Sequence, residues 1–296
     1  MKTINISAIL VFLLFAATAL SAQERETPHV TLDKVGENVY QISGGSGSNG
    51  GLIIGENAVL VIDAKMNEES VIQTIEAIKE LTDKPIKYLV NTHSDGDHIM
   101  GNRWFPGSIT FIAHENCRDD FFKENFGRAS DWGEPEFYPF TPSITFKMNM
   151  DIWLGKDKVE LHYFGVGHTT GDIVVYHPEE KIAFMGDQYF QTRPQLIHSN
   201  KNGNSFEYVN TVKKMLETLD AETFLSGHSD PVGREEIEKH IQSMIARQVK
   251  VQELINQDKS LEETLDQFDE NEARLVTSIY NEIKGQRPNQ SNEDPY

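Results

Sequence analysis

A seven-residue stretch, residues 92–98, contains two imidazoles and two carboxylates. It follows the short apolar run 87–90, which predicts a β-strand. Such side chains gain little from packing, because each needs water, a partner or a metal ion. The end of a strand is also where active-site loops collect in α/β folds. The stretch therefore indicates half of a two-metal hydrolytic site. Its ligand-type residues are His93, Asp95, Asp97 and His98.

Three later segments each place a ligand-type residue beside glycine and next to a predicted strand. Glycine lets the backbone turn sharply, so that the neighbouring side chain can face a common centre. A single Gly-His or Gly-Asp pair would mean almost nothing, but four such elements in one chain indicate a metal site. The segments are 165–172 with His168, 185–187 with Asp187, and 226–230 with His228.

The predicted elements that position these residues come in two successive halves, each rich in strands first and helical afterwards. Residues 68–81 carry apolar side chains at helical spacing, which predicts an amphipathic helix. Two sheets packed together with helices outside satisfy the whole pattern and predict an α+β fold. Strands are predicted at 38–43, 51–55, 58–63, 109–113, 173–176, 182–185 and 223–225, with two more within 144–163. Further helices are predicted at 114–125, 204–219, 234–255 and 261–283.

The N-terminus has the pattern of a secretory signal peptide. Lys2 precedes an uncharged, largely apolar run at 8–20 and small residues up to Ala22. The run is shorter than the roughly 20 apolar residues that a membrane span needs. We therefore expect export to the periplasm or the medium, with residues 1–22 removed and no stable membrane anchor. Residues 23–296 are expected to form a single domain that ends in helices.

Composition narrows the class of partner. The formal net charge of −19 argues against nucleic acid and anionic membranes, which require a basic patch. The only cysteine, Cys117, has no partner for an internal disulfide, so packing and metal must stabilise an exported domain. We expect a small-molecule substrate, and the oligomeric state is left open.

Taken in order, the motifs resemble those of the metallo-β-lactamase superfamily of metal-dependent hydrolases. The resemblance runs from about residue 30 to 283 and includes the strand ending at Asp63, the His-x-x-x-Asp-His core and the late Gly-His. It implies a four-layer αββα sandwich with a two-metal site at one edge of the packed sheets. The pattern looks closer to glyoxalase-like general hydrolases than to true lactamases, because the bridging position is Asp187 and not cysteine.

The resemblance also implies a role for each site residue. Asp187 would bridge both metals. Asp63 would not bind a metal itself but would orient one of the metal ligands. A loop after Asp187 borders the pocket in the family, so we expect a substrate contact from it. The first metal would take His93, Asp95 and His168. The second metal would take Asp97, His98 and His228. The loop offers Arg193, His198 and Lys201 for the substrate.

Asp95 departs from the family pattern, which has histidine at this position. A carboxylate hardens the site and shifts its preference toward iron or manganese, although zinc is the first expectation. Three carboxylates and a bridging hydroxide carry four negative charges, so with two divalent ions the net charge of the centre would be about zero. With histidine in place of Asp95, the net charge would be +1. We therefore expect a less acidic bound water and weaker attraction for anionic substrates than in typical members.

The expected reaction is attack of a metal-bridging hydroxide on an ester, thioester, lactone or β-lactam carbonyl, with Asp97 able to accept a proton. A phosphodiesterase of the same fold is an alternative, which the acidic composition disfavours. A non-hydrolytic metal-binding or redox protein is another, which Asp95 keeps open. Two loops would shape the pocket: a glycine-rich hairpin loop at 44–51 and an aromatic segment at 126–141 that either covers the core or forms a lid.

Overall fold

The computed structural model describes residues 27–123 and 130–286 of the chain. The first of its two sheets has seven strands in the order β1 to β7. Pairing is antiparallel from β1 to β4 and parallel from β4 to β7. The strands are β1 (Thr31–Lys34), β2 (Val39–Ser43), β3 (Gly50–Ile54), β4 (Val59–Ile62), β5 (Ile86–Val90), β6 (Thr110–His114) and β7 (Ile144–Phe146).

The second sheet has six strands in the order β13, β12, β11, β10, β9, β8. Only the β11–β12 pair is parallel, and the other pairs are antiparallel. The strands are β8 (Asn149–Leu154), β9 (Asp157–His162), β10 (Val174–His177), β11 (Ile182–Phe184), β12 (Thr223–Leu225) and β13 (Val232–Gly233).

Seven α-helices accompany the sheets within the described residues, and none of them is long and apolar enough to cross a membrane. Side-chain caps fix the starts of α1 and α4, among others, because Asn67 accepts from the Ser70 amide and Asn204 accepts from the amides of Phe206 and Glu207. The helices are α1 (Glu68–Leu81), α2 (Gly96–Ile99), α3 (Glu115–Phe121), α4 (Ser205–Thr218), α5 (Arg234–Asn256), α6 (Leu261–Leu265) and α7 (Ala273–Ile283).

Strand β4 shows how its sequence builds the layers. All four residues are apolar and buried, and alternate side chains of a strand point to opposite faces. Leu60 and Ile62 pack into the core between the two sheets, while Val59 and Val61 pack against the face that carries α1. On the other side, α4, α5 and α7 cover the second sheet. The protein is therefore a four-layer αββα sandwich, as the sequence pattern predicts.

Three predicted elements differ from the structure. The predicted helix 114–125 begins at Glu115 and ends at Phe121, with Phe122 as its C-cap. The segment 144–163 forms three strands and not two, because the chain leaves the first sheet after β7 and enters the second at β8. The predicted helix 261–283 is interrupted between α6 and α7, where Asp269 forms a capping box with Glu272 and starts a new helical turn. The predicted signal peptide at 1–22 lies outside the described residues.

Candidate metal centre

Strand ends at one edge of the sandwich carry the predicted site residues. The stretch 92–98 leaves the end of β5 and enters the short helix α2, with Asp95 at its N-cap. Because β11 and β12 are parallel neighbours, their carboxyl ends meet and bring Asp187 beside His228. The amide of Gly227 donates to the carbonyl of Gly186 over 3.0 Å and ties these two loops together.

All seven predicted ligands converge there in two clusters. Within each cluster, one candidate ligand atom from every residue lies within 4.8 Å of the others. Six of the seven residues are at most 8% exposed, and the His228 side chain is 30% exposed. The first cluster consists of His93, Asp95, His168 and Asp187, and the second of Asp97, His98 and His228.

Asp187 lies between the clusters. One of its carboxylate oxygens, Oδ1, is 3.1 Å from His98 Nε2, and the other, Oδ2, is 3.2 Å from His228 Nε2. The same Oδ2 is 3.9 Å from His93 Nε2 and 4.0 Å from His168 Nε2. This carboxylate therefore faces imidazoles of both clusters, which is the position expected of a bridging ligand.

Orphaned polar atoms test whether the centre fits a metal. Within the described chain, His93 Nε2 is buried without a hydrogen bond, and so are His98 Nε2 and Asp187 Oδ1, which lie 3.1 Å apart without hydrogen-bond geometry. A buried polar atom without a partner is costly, and a cation shared by nitrogen and carboxylate ligands removes that cost. Histidine with carboxylate is also a donor set that binds zinc, iron or manganese. The residues therefore fit a pair of divalent cations.

The electrostatics of the centre point the same way. Burial alone would raise the pKa of Asp187, but His98 and His228 lower it well below its ordinary value. Burial alone would lower the pKa of His228, but Asp187 and Asp97 raise it to about 9. The buried carboxylates are therefore stabilised by nearby positive charge. In the metal-free protein, protons on the histidines provide this charge, and bound metal cations would take the place of those protons.

Glycine is required at two points of the centre. Gly186 adopts φ +53°, and a Cβ there would lie 2.7 Å from Thr92 Oγ1. At Gly227 a Cβ would overlap Asp187 Oδ1 and lie 2.6 Å from His98 Cε1. These contacts explain why the Gly-Asp and Gly-His pairs occur in the sequence: the loops approach too closely for a side chain.

Asp63 supports the centre from behind. It adopts φ +59° at the end of β4 and accepts from the Thr92 amide over 2.8 Å and from Thr92 Oγ1 over 2.7 Å. Its Oδ2 is also 2.8 Å from His98 Nδ1. Donation from Nδ1 to this carboxylate leaves His98 Nε2 free of a proton and able to bind a cation.

Replacing Asp63 by asparagine is expected to weaken the binding of the second metal about 10- to 100-fold. The amide NH2 group would face one of the donors that now bind the carboxylate, so the orientation of the His98 ring would no longer be fixed. The measurement is metal affinity by competition with a chromophoric chelator. Asp33→Asn, at an exposed aspartate of β1, is the control and should bind metal like the wild type. Equal affinities in all three proteins would show that Asp63 does not orient His98.

Asp95 has an environment that sequence reasoning did not foresee. Its Oδ1 lies 2.6 Å from Lys201 Nζ, and its Oδ2 lies 2.9 Å from both His168 Nε2 and His198 Nε2. Lys201 Nζ also donates to the Ser94 carbonyl over 2.9 Å. Burial alone would raise the pKa of Asp95, but His198, Lys201 and two further histidines lower it well below its ordinary value.

The contact with Lys201 changes the net charge expected from the sequence. The expected value of about zero included the negative charge of Asp95 but not the positive charge of the Lys201 ammonium group beside it. The ammonium group at 2.6 Å restores one positive charge to the immediate surroundings. The expectation of a less acidic bound water and weaker attraction for anions therefore loses its basis.

Arg193 differs from the other two predicted substrate contacts. Its guanidinium lies 4.2 Å from the centre of the Phe190 ring, and Phe190 stacks on His228 with ring centroids 5.3 Å apart. The Arg193 side chain is exposed, whereas His198 and Lys201 are packed against Asp95. Arg193 is thus the member of this set that is free to meet a solute beside the second cluster.

A cavity of about 470 Å³ lies between residues 189–195 of this loop and helix α5. It is lined in part by Arg193, Lys239 and His240. Burial, with a smaller contribution from the charge of Arg247, lowers the pKa of His240 to about 4. His240 Nε2 has no hydrogen-bond partner in the part of the chain that the structure describes.

His240 is expected to make the fold sensitive to acid. An unfolded histidine has a pKa near 6.5, so between about pH 6.5 and 4 the unfolded chain binds a proton that the native protein excludes. The free energy of unfolding should therefore fall by about 2 kcal/mol more in the wild type than in His240→Gln between pH 7 and 4.5. Urea unfolding at both pH values, with equal metal content, measures this, and equal losses would contradict it.

The glycine-rich segment 44–51 forms the predicted hairpin loop between β2 and β3 with residues 44–49, whereas Gly50 and Gly51 begin β3, and the loop lies against the centre. The amide of Ser48 donates to the Asp97 carbonyl over 3.2 Å, and the amide of Asn49 donates to the Gly227 carbonyl over 2.7 Å. Sequence reasoning missed Lys65, which is 1% exposed and donates to the Ser48 carbonyl over 2.5 Å. Burial lowers the pKa of Lys65 to about 8, although Asp97 raises it.

The aromatic segment covers the core where it is described, from residue 130 onward. Trp132 is buried against Phe121 and Cys117. Arg103 lies over the rings of Trp132 and Phe137, at 4.6 and 4.1 Å from their centroids. Residues 126–129 of the predicted segment lie outside the described part of the chain. The described residues therefore favour a structural role over a lid.

Comparison with known proteins places this fold and centre in a family. The family model for the metallo-beta-lactamase superfamily matches residues 43–228, which is more than half of the chain. The chain therefore belongs to the metallo-β-lactamase superfamily, whose members include metal-dependent hydrolases. The match includes all seven convergent residues and ends before the last three helices.

Two curated relatives are both named metallo-beta-lactamase type 2. The protein from Elizabethkingia meningoseptica is 25% identical over 216 residues, which cover 65% of this chain and 82% of the relative. The protein from Bacteroides fragilis is 21% identical over 248 residues, which cover 80% of this chain and 94% of the relative.

Solved structures agree on the fold. The metallo-beta-lactamase from Pontibacter korlensis matches with a TM-score of 0.60 and 17% identity, covering 72% of this chain and 99% of that chain. The DIM-1 metallo-beta-lactamase matches with a TM-score of 0.60 and 21% identity, covering 74% of this chain and 98% of that chain. At these identities the likeness concerns the fold alone.

Proposed function

We propose that this protein is an exported hydrolase that binds two divalent metal ions and cleaves an ester, thioester, lactone or β-lactam bond. The observation that carries the proposal is the convergence of four histidines and three aspartates in two adjoining clusters. Orphaned imidazole nitrogens and strongly acidic carboxylates in the centre support it, since both call for cations.

Two bound cations would lower the pKa of a water molecule and polarise the bond to be cleaved. The chain's own residues would hold this chemistry in place. His98 and His228 lower the pKa of Asp97, although burial raises it, so Asp97 is ionised at neutral pH. Its Oδ2 is 3.1 Å from His228 Nε2, and we assign Asp97 to ligate a metal and to accept the proton of the nucleophile.

The metals are proposed to be zinc, with iron or manganese as alternatives because Asp95 hardens the first cluster. The predicted first group is His93, Asp95 and His168, the predicted second group is Asp97, His98 and His228, and Asp187 is proposed to bridge them. The glyoxalase-like branch stays a prediction that rests on Asp187. The exported location likewise rests on the sequence of residues 1–22.

A β-lactam is the first substrate to test, because both curated relatives are named metallo-beta-lactamases. Most β-lactams carry a carboxylate, and the exposed Arg193 beside Phe190 and His228 offers a cation for it. The acidic chain as a whole, with a formal net charge of −19, disfavours polyanionic nucleic acids as substrates.

The test is a hydrolysis panel on protein of measured metal content: a β-lactam, a glutathione thioester, a lactone and a phosphodiester. We expect turnover of at least one carbonyl substrate, lost on chelation and in His228→Ala. Turnover of the phosphodiester alone would favour the alternative enzyme class. Failure of every substrate with two metals bound, or full activity in His228→Ala, would contradict the proposed function.

A further inference from the structure

We propose that His198 is an additional ligand of the first metal and replaces the imidazole that the His-x-x-x-Asp-His core lacks at Asp95. This inference rests on the proposed two-metal function and concerns how this chain completes the first cluster. It assigns the loop after β11 to metal binding, although the sequence placed His198 among the substrate contacts.

Three imidazole nitrogens converge on one oxygen of Asp95. Asp95 Oδ2 is 2.9 Å from His168 Nε2, 2.9 Å from His198 Nε2 and 3.5 Å from His93 Nε2. Ligand atoms that share one tetrahedral ion at about 2.0–2.1 Å lie about 3.3 Å from one another. The distances from Asp95 Oδ2 to the three nitrogens are close to this value, which is compatible with three imidazoles and this carboxylate at one cation.

The backbone holds His198 against an established member of the cluster. Its amide donates to the His168 carbonyl over 2.8 Å, and its own carbonyl accepts from the Gly203 amide over 2.8 Å. The rings of His168 and His198 have centroids 4.6 Å apart and planes tilted by 64°. The two imidazoles thus approach Asp95 from adjacent positions.

The burial of the His198 ring beside Asp95 also needs a reason. His198 is 6% exposed, and its Nδ1 has no hydrogen-bond partner among residues 27–123 and 130–286. The nitrogen that would bind the metal is Nε2, which lies 2.9 Å from Asp95 Oδ2. A metal at Nε2 supplies a reason for the ring to be buried here.

Lys201 explains how Asp95 can serve beside three imidazoles. It occupies Oδ1 at 2.6 Å and leaves Oδ2 to the histidines, so the carboxylate presents a single oxygen to the cluster. Lys201 also compensates the charge of Asp95, which makes the pair equivalent in net charge to a neutral ligand. His198 thus takes the role of the histidine that the family has at position 95. Asp95 remains a ligand, and the charge of Lys201 cancels its negative charge.

The competing role for His198 is hydrogen-bond donation to Asp95 without metal contact, and two variants separate the roles. His198→Ala removes both functions, whereas His198→Gln keeps a donor that can reach Asp95 but lacks the imidazole. His240→Gln is the matched control, because His240 is another largely buried histidine with an unpaired ring nitrogen, outside both clusters.

The experiment substitutes cobalt(II) into each full-length protein and records its visible absorption, together with the affinity of both metals by chelator competition. We expect His198→Ala and His198→Gln to weaken one metal about 10- to 100-fold and to change the cobalt spectrum, with the other metal within about twofold of the wild type. His240→Gln should change neither readout.

The outcomes separate this inference from the proposed function. A His198→Gln protein with wild-type affinities and spectrum would overturn the inference and leave the two-metal hydrolase intact, since His198 would then be a donor to Asp95 only. Wild-type protein that binds no cobalt at the clusters would overturn both.

Discussion

Replacing Asp187 by asparagine is expected to lower kcat/KM by at least about a thousandfold, which corresponds to roughly 4 kcal/mol of transition-state stabilisation. Asp187 is the carboxylate that faces both clusters, with oxygens 3.1 Å from His98 Nε2 and 3.2 Å from His228 Nε2. An amide keeps the size of the side chain but removes its charge, so both metals should bind more weakly. Steady-state kinetics and metal content measure the two effects.

Asp230→Asn is the matched control, because Asp230 is exposed and lies two residues from His228 on the same loop. It loses one negative charge near the centre without touching either cluster and should retain activity and metal. If Asp187→Asn kept two metals and most of its activity, the bridging role would be wrong.

Replacing Gly227 by alanine should have the second largest effect, a loss of about a hundredfold or more in kcat/KM. The added Cβ would overlap Asp187 Oδ1 and lie 2.6 Å from His98 Cε1, so the bridging carboxylate and one imidazole must move. A shift of about 1 Å in a catalytic group is enough for a loss of this size. Kinetics together with circular dichroism would separate a displaced centre from an unfolded protein.

Gly107→Ala controls for the loss of a glycine, because a Cβ at Gly107 would have no atom within 4 Å. It should leave activity unchanged. Wild-type activity in Gly227→Ala would show that Asp187 and His98 are not confined as the structure has them.

Much of the site can be predicted because the patterns that mark it lie within short segments of the sequence. Asp187 and His228 each stand beside glycine at the end of a strand, and the two residues meet because their strands are parallel neighbours. The fully apolar strand β4 predicts a buried layer between sheets, and the Glu68–Leu81 periodicity predicts α1 with the observed bounds. These inferences need only strand ends, periodicity and turn chemistry.

What the sequence does not predict depends on contacts between distant segments. Lys201 meets Asp95 across 106 positions, and no periodicity or spacing connects the two residues. Lys65 is buried against the glycine-rich loop, although a lysine after a strand is ordinarily a surface residue. The break between α6 and α7 is set by a capping box at Asp269, which an apolar periodicity running through both helices conceals.

The central claim, a two-metal hydrolytic centre, is tested most directly by metal analysis coupled to activity. Full-length protein is titrated with zinc after chelation, and bound metal per chain and hydrolysis of the best substrate from the panel are measured on the same samples. We predict saturation at two ions per chain, with hydrolysis rising as metal binds and absent without it. Saturation below two ions per chain, or hydrolysis that persists in fully chelated protein, would contradict the account.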